Sequence, residues 1–191
     1  MASTPPGQRK LQILQALAEM LEHPKGEKIT TAALARKLDV SEAALYRHFA
    51  SKAQMFEGLI EFIESSVFGL INQITEKQPD GMGQARDILG MLLNFASSNP
   101  GMTRVLIGDA LVNEDERLQQ RMNQFYDRVE LALKQALRVA ASEGQAHEED
   151  VAARASMLVA FVLGRWHRYA KTGFKFNPSQ DAAVQISLLL N

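Results

Sequence analysis

Tyr46, Arg47 and His48 stand side by side in the chain, Lys52 follows four residues later, and the hydroxyls of Thr30, Thr31 and Ser41 lie a short way upstream. These side chains donate hydrogen bonds and positive charge, and no serine, histidine and acid come together around them as a nucleophilic set. The chemistry open to them is holding an anion, phosphate above all. Ala43 and Ala44, lying among them, are small enough to let a helix approach its target closely, and Glu42 precedes them. Arg9 and Lys10 place two more cations near the start of the chain.

Short helices must position these groups. Leu11, Leu14, Leu17, Ala18 and Leu21 recur at three and four, which predicts one face of a helix from Gln8 to Glu22, ended by His23, Pro24 and Gly26. Thr30 is a candidate N-cap for a second helix carrying Ala32, Leu34, Ala35 and Leu38, and Ser41 for a third, from Glu42 to His48. Two helices of about two turns, separated by a tight bend, fit a helix-turn-helix, whose second helix enters the major groove of DNA by its N-terminal face. Leu34, Leu38, Val40, Leu45 and Phe49 would pack the pair, leaving Thr31, Glu42, Ala43, Tyr46, Arg47 and His48 outside.

On such a frame each polar group has a task. Thr31 and Ser41, at helix starts, are placed for phosphate. Tyr46, His48 and Lys52 face a DNA backbone, Ala43 and Ala44 can touch a thymine methyl, and Arg47 is the candidate for a base or phosphate contact. Arg9 and Lys10 can reach phosphates or the minor groove. The charge pattern agrees: residues 1–52 hold eight Lys/Arg against five Asp/Glu, hence +3, and the remainder thirteen against seventeen, hence -4, within a chain whose net charge is only -1.

Beyond Ser51 the periodicity stays helical. A long helix to about Thr75 carries Phe56, Leu59, Ile60, Ile63, Val67, Leu70, Ile71 and Ile74 on one stripe. Pro79, Gly81 and Gly83 break the chain before a fifth helix that stops at Asn99, Pro100 and Gly101; a short sixth holds Val105, Leu106 and Leu111. Asn113 is the expected cap of a seventh, closed by Gly144. Glu148, Glu149 and Asp150 suit the positive end of an eighth, running to about Lys171, and a ninth ends in Leu188, Leu189 and Leu190. No strand period appears. The fold class is all-α, with a headpiece over 1–50 and a helical body over 51–191.

Several classes of function find no support. The chain has no cysteine, which leaves no disulfide, thiolate metal site or thiol nucleophile and agrees with a reducing cytoplasm. Met1 to Gly7 is polar and proline-bearing, and no later run reaches ~18 apolar residues, so neither an export signal nor a membrane span is expected. His147 beside Glu148 and Glu149 lacks a paired helical histidine motif and reads as a solvated helix start, so no metal and no cofactor are expected. No phosphate-cradling glycine loop or catalytic set points to an enzyme.

The run VSEAALYRHFASK, Val40 to Lys52, resembles the signature of the TetR family of regulators. That resemblance implies phosphate contacts from Tyr46, His48 and Lys52, and a fold of three DNA-binding helices with about six more in the body. Over ITTAALA, LIEFIE, NPGMTRVLIGDAL, ERLQQRMNQFYDRVE and FKFNP the chain is similar to the nucleoid-occlusion factors within that family. These bind chromosomal palindromes and, on DNA, antagonise the tubulin-like division GTPase, whose C-terminal tail lies between the fourth and fifth helices. The resemblance puts Phe62, Leu70, Met91, Asn94, Ser98 and Asn99 in that groove. Relatives carry arginines at the positions of Leu70 and Ser98 and a glycine at that of Asn94.

Periodicity also allows Phe62 to be a core residue and Asn99 a helix stop. A palindromic site requires a homodimer, expected through the eighth and ninth helices with Val159, Val162, Trp166 and Leu188 at the interface. The competing function is a ligand-responsive repressor of the same family, with Met91, Phe95, Met122, Phe125, Met157 and Phe161 lining a pocket; the same spacing is explained by an ordinary core. The resemblance implies a nucleoid-associated protein.

Overall fold

Hydroxyl caps start the second, third and fourth helices, and carboxylate caps start the fifth and seventh. In the computed structural model, which describes residues 6–23 and 29–191, helices account for most of the chain and no strand occurs among the described residues. Thr30 Oγ1 accepts from Ala33 N at 3.1 Å to open α2 (Thr31–Lys37), and Ser41 Oγ accepts from Ala44 N at 3.3 Å to open α3 (Glu42–Tyr46). Ahead of them α1 (Pro6–Leu21) begins with proline in its first turn, where a missing N–H is harmless. Pro24 and Gly26, expected to end α1, lie outside the described residues, as does the Met1–Pro5 start.

The bend between α2 and α3 is made by Asp39, at φ 54°, and by Val40 N donating to Ala35 O at 3.0 Å. An aspartate tolerates this left-handed conformation better than most residues. The third helix is shorter than its expected span to His48: Arg47 is already its C-cap and His48 lies in the following turn.

Ser51 Oγ accepts from Gln54 N at 3.1 Å and opens α4 (Lys52–Lys77), whose buried stripe runs Met55, Phe56, Leu59, Ile60, Ile63, Val67, Ile71. Asp80 caps α5 (Gly81–Ser98) at 2.6 Å through Gly83 N. Then come α6 (Pro100–Leu106), a 3-10 turn at Asp109–Leu111, α7 (Glu116–Ser142), a second 3-10 turn at Glu148–Asp150, α8 (Val151–Lys171) and α9 (Ala182–Leu190). Leu111 therefore belongs to the turn after α6. The cap of α7 is Asp115, which accepts from Arg117 N at 3.0 Å; the expected cap, Asn113, instead takes φ 65° and turns the chain.

In the body α5 lies among α4, α7, α8 and α9, and α7 pairs along α8. At the start of α5 a Cβ on Gly81 would fall 2.2 Å from Ala140 N, so only glycine permits this crossing with α7. One apolar core runs from Ile13, Leu17, Leu34 and Leu45 in the headpiece through Phe56 and Ile60 to Leu92, Phe125 and Trp166. The headpiece is thus seated on the body, with α1 against both α4 and α6.

Two expectations about the body are corrected. Val162 and Trp166 were expected at a dimer interface but face the protomer's own core, Trp166 with 1 % of its surface exposed and its indole N–H donating to Leu92 O at 3.1 Å; Val159 is also buried. The period that marks them is that of α8's inner face. Leu188 is 74 % exposed. The second correction concerns the six residues proposed for a ligand pocket. Met122 and Phe125 are fully buried, Phe161 is half-buried, Met157 is exposed, and Met91 and Phe95 line a surface hollow, so they share no chamber.

Candidate nucleic-acid interface

The headpiece brings one polar surface together from the starts of α2 and α3. Thr31 Oγ1 donates to Glu42 Oε2 at 2.5 Å, and Tyr46 O–H reaches Thr31 Oγ1 at 3.5 Å. Three of the expected residues thus form one network across the bend before any ligand arrives. Glu42 is thereby an aligned acceptor, the group that reads a cytosine amino group in a major groove. Beside them Ala43 is exposed and Ala44 half-buried, leaving the front of α3 low, and Arg47 is exposed. Thr30 and Ser41 spend an oxygen lone pair on their caps, and each hydroxyl proton stays available to donate.

The flanking cations are placed differently. Lys10 is exposed, its ammonium 5.6 Å from the centroid of the Phe49 ring, and Arg9 Nη1 donates to Gln12 Oε1 at 2.9 Å. His48 sits half-buried in the turn after α3. Lys52 is not free: its ammonium forms an ion pair with Glu114, a residue of the body that the sequence did not single out, and lies 5.7 Å from the Phe56 ring.

Further contacts missed by the sequence reading fix the headpiece to the body. A Cβ on Gly101 would lie 1.9 Å from Ala18 O, so α6 crosses α1 at backbone distance. Arg104 then donates from Nε to Asp109 Oδ2 at 3.0 Å and from Nη1 to Leu21 O at 3.4 Å, satisfying a carbonyl at the end of α1. Asp109 also takes the ammonium of Lys171. Desolvation pushes the Asp109 carboxyl up, but the hydrogen bonds from Lys171 and Arg104 outweigh it and hold the group below its ordinary value. Elsewhere burial alone pushes the Tyr126 phenol up to about 12. The sequence signal for this seat is the Pro100–Gly101 pair; nothing local marks Arg104 or Glu114.

Five of the six expected groove residues, Leu70, Met91, Asn94, Ser98 and Asn99, line one hollow of about 1030 Å³ between α4, α5 and the start of α9. Phe62 lines a neighbouring hollow of about 510 Å³ with Leu11, Leu14, Leu59 and Met102, and Asn99 borders both. Phe62 is 41 % exposed and so belongs to the surface. Asn99 does act as the stop of α5, its amide donating to Phe95 O at 2.8 Å, while still facing the hollows. Asn94 accepts from Ser179 Oγ at 2.7 Å, which ties the groove wall to the loop before α9. Among the described residues there is no cluster of metal-ligating side chains, and no helix is long and apolar enough to cross a membrane.

A capped helix-turn-helix seated on a larger helical bundle defines a DNA-binding regulator of the helix-turn-helix class. Residues 13–59 match the family described as bacterial regulatory proteins of the tetR family, and residues 80–191 match the SlmA-like tetracyclin repressor-like C-terminal domain. The chain belongs to the TetR family of regulators, in its SlmA-like branch. It is 48 % identical over 184 residues to the nucleoid occlusion factor SlmA of Sodalis glossinidius, covering 95 % of this chain and 93 % of that one. It is 50 % identical over 175 residues to SlmA of Aliivibrio fischeri strain MJ11, covering 91 % and 89 %. A TetR transcription regulator from Haloarcula marismortui has the same fold, with a TM-score of 0.82 at 17 % identity over 96 % of this chain and 97 % of that one.

Proposed function

We propose that the chain is a nucleoid-occlusion factor: a homodimer that binds palindromic double-stranded DNA and, when bound, antagonises assembly of the tubulin-like division GTPase. One observation carries the reading beyond its relatives' names. The groove between α4 and α5 ends at Asn99, and the next residues, Pro100 and Gly101, begin the helix on which the headpiece sits. A peptide in the groove and DNA on the headpiece would therefore act on one short stretch of backbone.

In this reading residues 1–50 present α3 to the major groove, with Glu42, Ala43 and Arg47 toward bases and Thr31, Tyr46, His48 and Lys52 toward phosphates. The body, 51–191, pairs through the outer faces of α8 and α9, where Met157, Val184 and Leu188 are exposed. That pairing has to set two recognition helices ~34 Å apart, one turn of DNA. The division GTPase's tail lies along Leu70, Met91, Asn94, Ser98 and Asn99 and extends toward Phe62. Such a protein sits on the nucleoid, in the cytoplasm, and turns over no substrate.

A genome-wide map of binding sites in the native host tests this. Many palindromic sites spread over the chromosome and depleted near the replication terminus support it. One or two sites beside the protein's own gene or a transporter gene would replace it with the local repressor reading.

A further inference from the structure

Lys52 is the first residue of α4, at the junction of headpiece and body, and its ammonium is committed to Glu114. Glu114 lies on the segment between the 3-10 turn and α7. Asn113, at φ 65°, reverses the chain just before it, and Glu114 N donates to Leu111 O at 3.0 Å, so the carboxylate is held by a closed turn. Both side chains are partly sequestered, with 23 % of the lysine and 15 % of the glutamate exposed. The next acid, Asp115, is taken by Arg117, and among the described residues Glu114 has no other cation. A lysine is a single point charge, and a phosphate brought to it would stand beside a carboxylate of the same sign.

We propose that Glu114 competes with DNA phosphate for Lys52, so that binding DNA opens this ion pair and releases the turn that carries Glu114. The inference rests on the reading of Lys52 as a phosphate contact. Its consequence for salt dependence is specific. Phosphate neutralisation by a lysine releases condensed counterions and steepens log K against log salt by about 0.9. A vacated carboxylate takes up a cation and cancels much of that gain. In the natural chain Lys52 therefore contributes little to the slope, and removing the competitor uncovers it.

The experiment is a titration of a random-sequence DNA duplex, followed by anisotropy at several salt concentrations, with the full chain and its variants E114Q, K52A and E114Q/K52A. E114Q is expected to bind about fivefold more tightly at low salt, the scale of one accessible ion pair, with a slope steeper by up to about 0.9. The double variant is expected to lose both gains. Glu114→Ala should move in the same direction as E114Q, which guards against an effect peculiar to the amide. Unchanged or weaker binding by both Glu114 variants overturns the competition, and if K52A alone then flattens the slope, the phosphate contact still stands. Tighter binding by E114Q that persists in the double variant shows that the gain bypasses Lys52, and overturns the phosphate contact together with the inference.

Discussion

The headpiece surface and the body groove are built on opposite plans. On the headpiece, Thr31, Glu42 and Tyr46 come from elements separated by four residues, and their mutual hydrogen bonds fix the surface before it meets a ligand. In the groove, Leu70, Met91 and the Ser179 that holds Asn94 come from three distant parts of the chain, and the lining side chains make few polar contacts with one another. The first plan suits a rigid, repetitive target such as a duplex. The second leaves a broad hollow whose selectivity must come from the shape of an extended partner. The two meet where α1 crosses α6.

If the body is the rigid partner, its core should matter far more to stability than any surface residue. Trp166→Ala is expected to cost about 3–5 kcal/mol, since it empties a filled site and removes the indole's buried hydrogen bond to Leu92 O. Chemical denaturation followed by circular dichroism measures it. Leu188→Asp is expected to leave the protomer's stability nearly unchanged and to split the dimer, as read by light scattering. A Trp166→Ala chain that melts like its parent yet runs as a monomer would return the tryptophan to the interface.

The seam itself is tested by Gly101→Ala. The new methyl would lie against Ala18 O, and overpacking of this kind costs about 1–3 kcal/mol. Because the clash lies between headpiece and body, the expected outcome is a large loss of DNA binding with a smaller loss of global stability. Trp166, the only tryptophan, makes its fluorescence a probe of the body alone. Its transition should move less than the helical signal of the whole chain. Coincident shifts of both would mean that the headpiece is no separate unit.

What the sequence made legible follows the same division. Caps, the helix-turn-helix and the apolar stripes are local patterns, and Thr30, Ser41, Leu34 and Leu45 stand where they predict. The error over Val162 and Trp166 arose because a periodic stripe marks a buried face without saying whether the protomer or its partner buries it. For the six supposed pocket residues the same spacing also allowed an ordinary core, and only the packing shows that Met122 and Phe125 fill it while Met157 lies outside. The local motif reads Lys52 as an anion ligand and is silent about Glu114, because that pairing spans 62 positions and leaves no local trace. Asn113 shows the limit of cap rules, since an asparagine two residues early competes with an aspartate for the same role and, by turning left-handed, yields it.

The smallest effect expected at the seam is one of pH. Asp109 joins Arg104 on α6 to Lys171 on α8, and Arg104 in turn holds the end of α1. Its carboxyl is held below the ordinary 3.8 because the two cations outweigh the desolvation that opposes them. A depressed folded-state value means that the unfolded chain binds the proton first. The stabilisation is therefore complete above the unfolded value, near pH ~4, and drains away as pH falls through the lower folded value. Asp109→Asn should cost about 1 kcal/mol at neutral pH, reduced from a buried pair's worth by solvent screening. Its melting temperature should also fall less steeply than the parent's on acidification below about pH 4. The parent and variant curves should converge at the acid end, because protonation has by then done to one what substitution did to the other. Parallel curves over that range would place the acid sensitivity elsewhere and leave Gly101 as the tested link between the headpiece and the body.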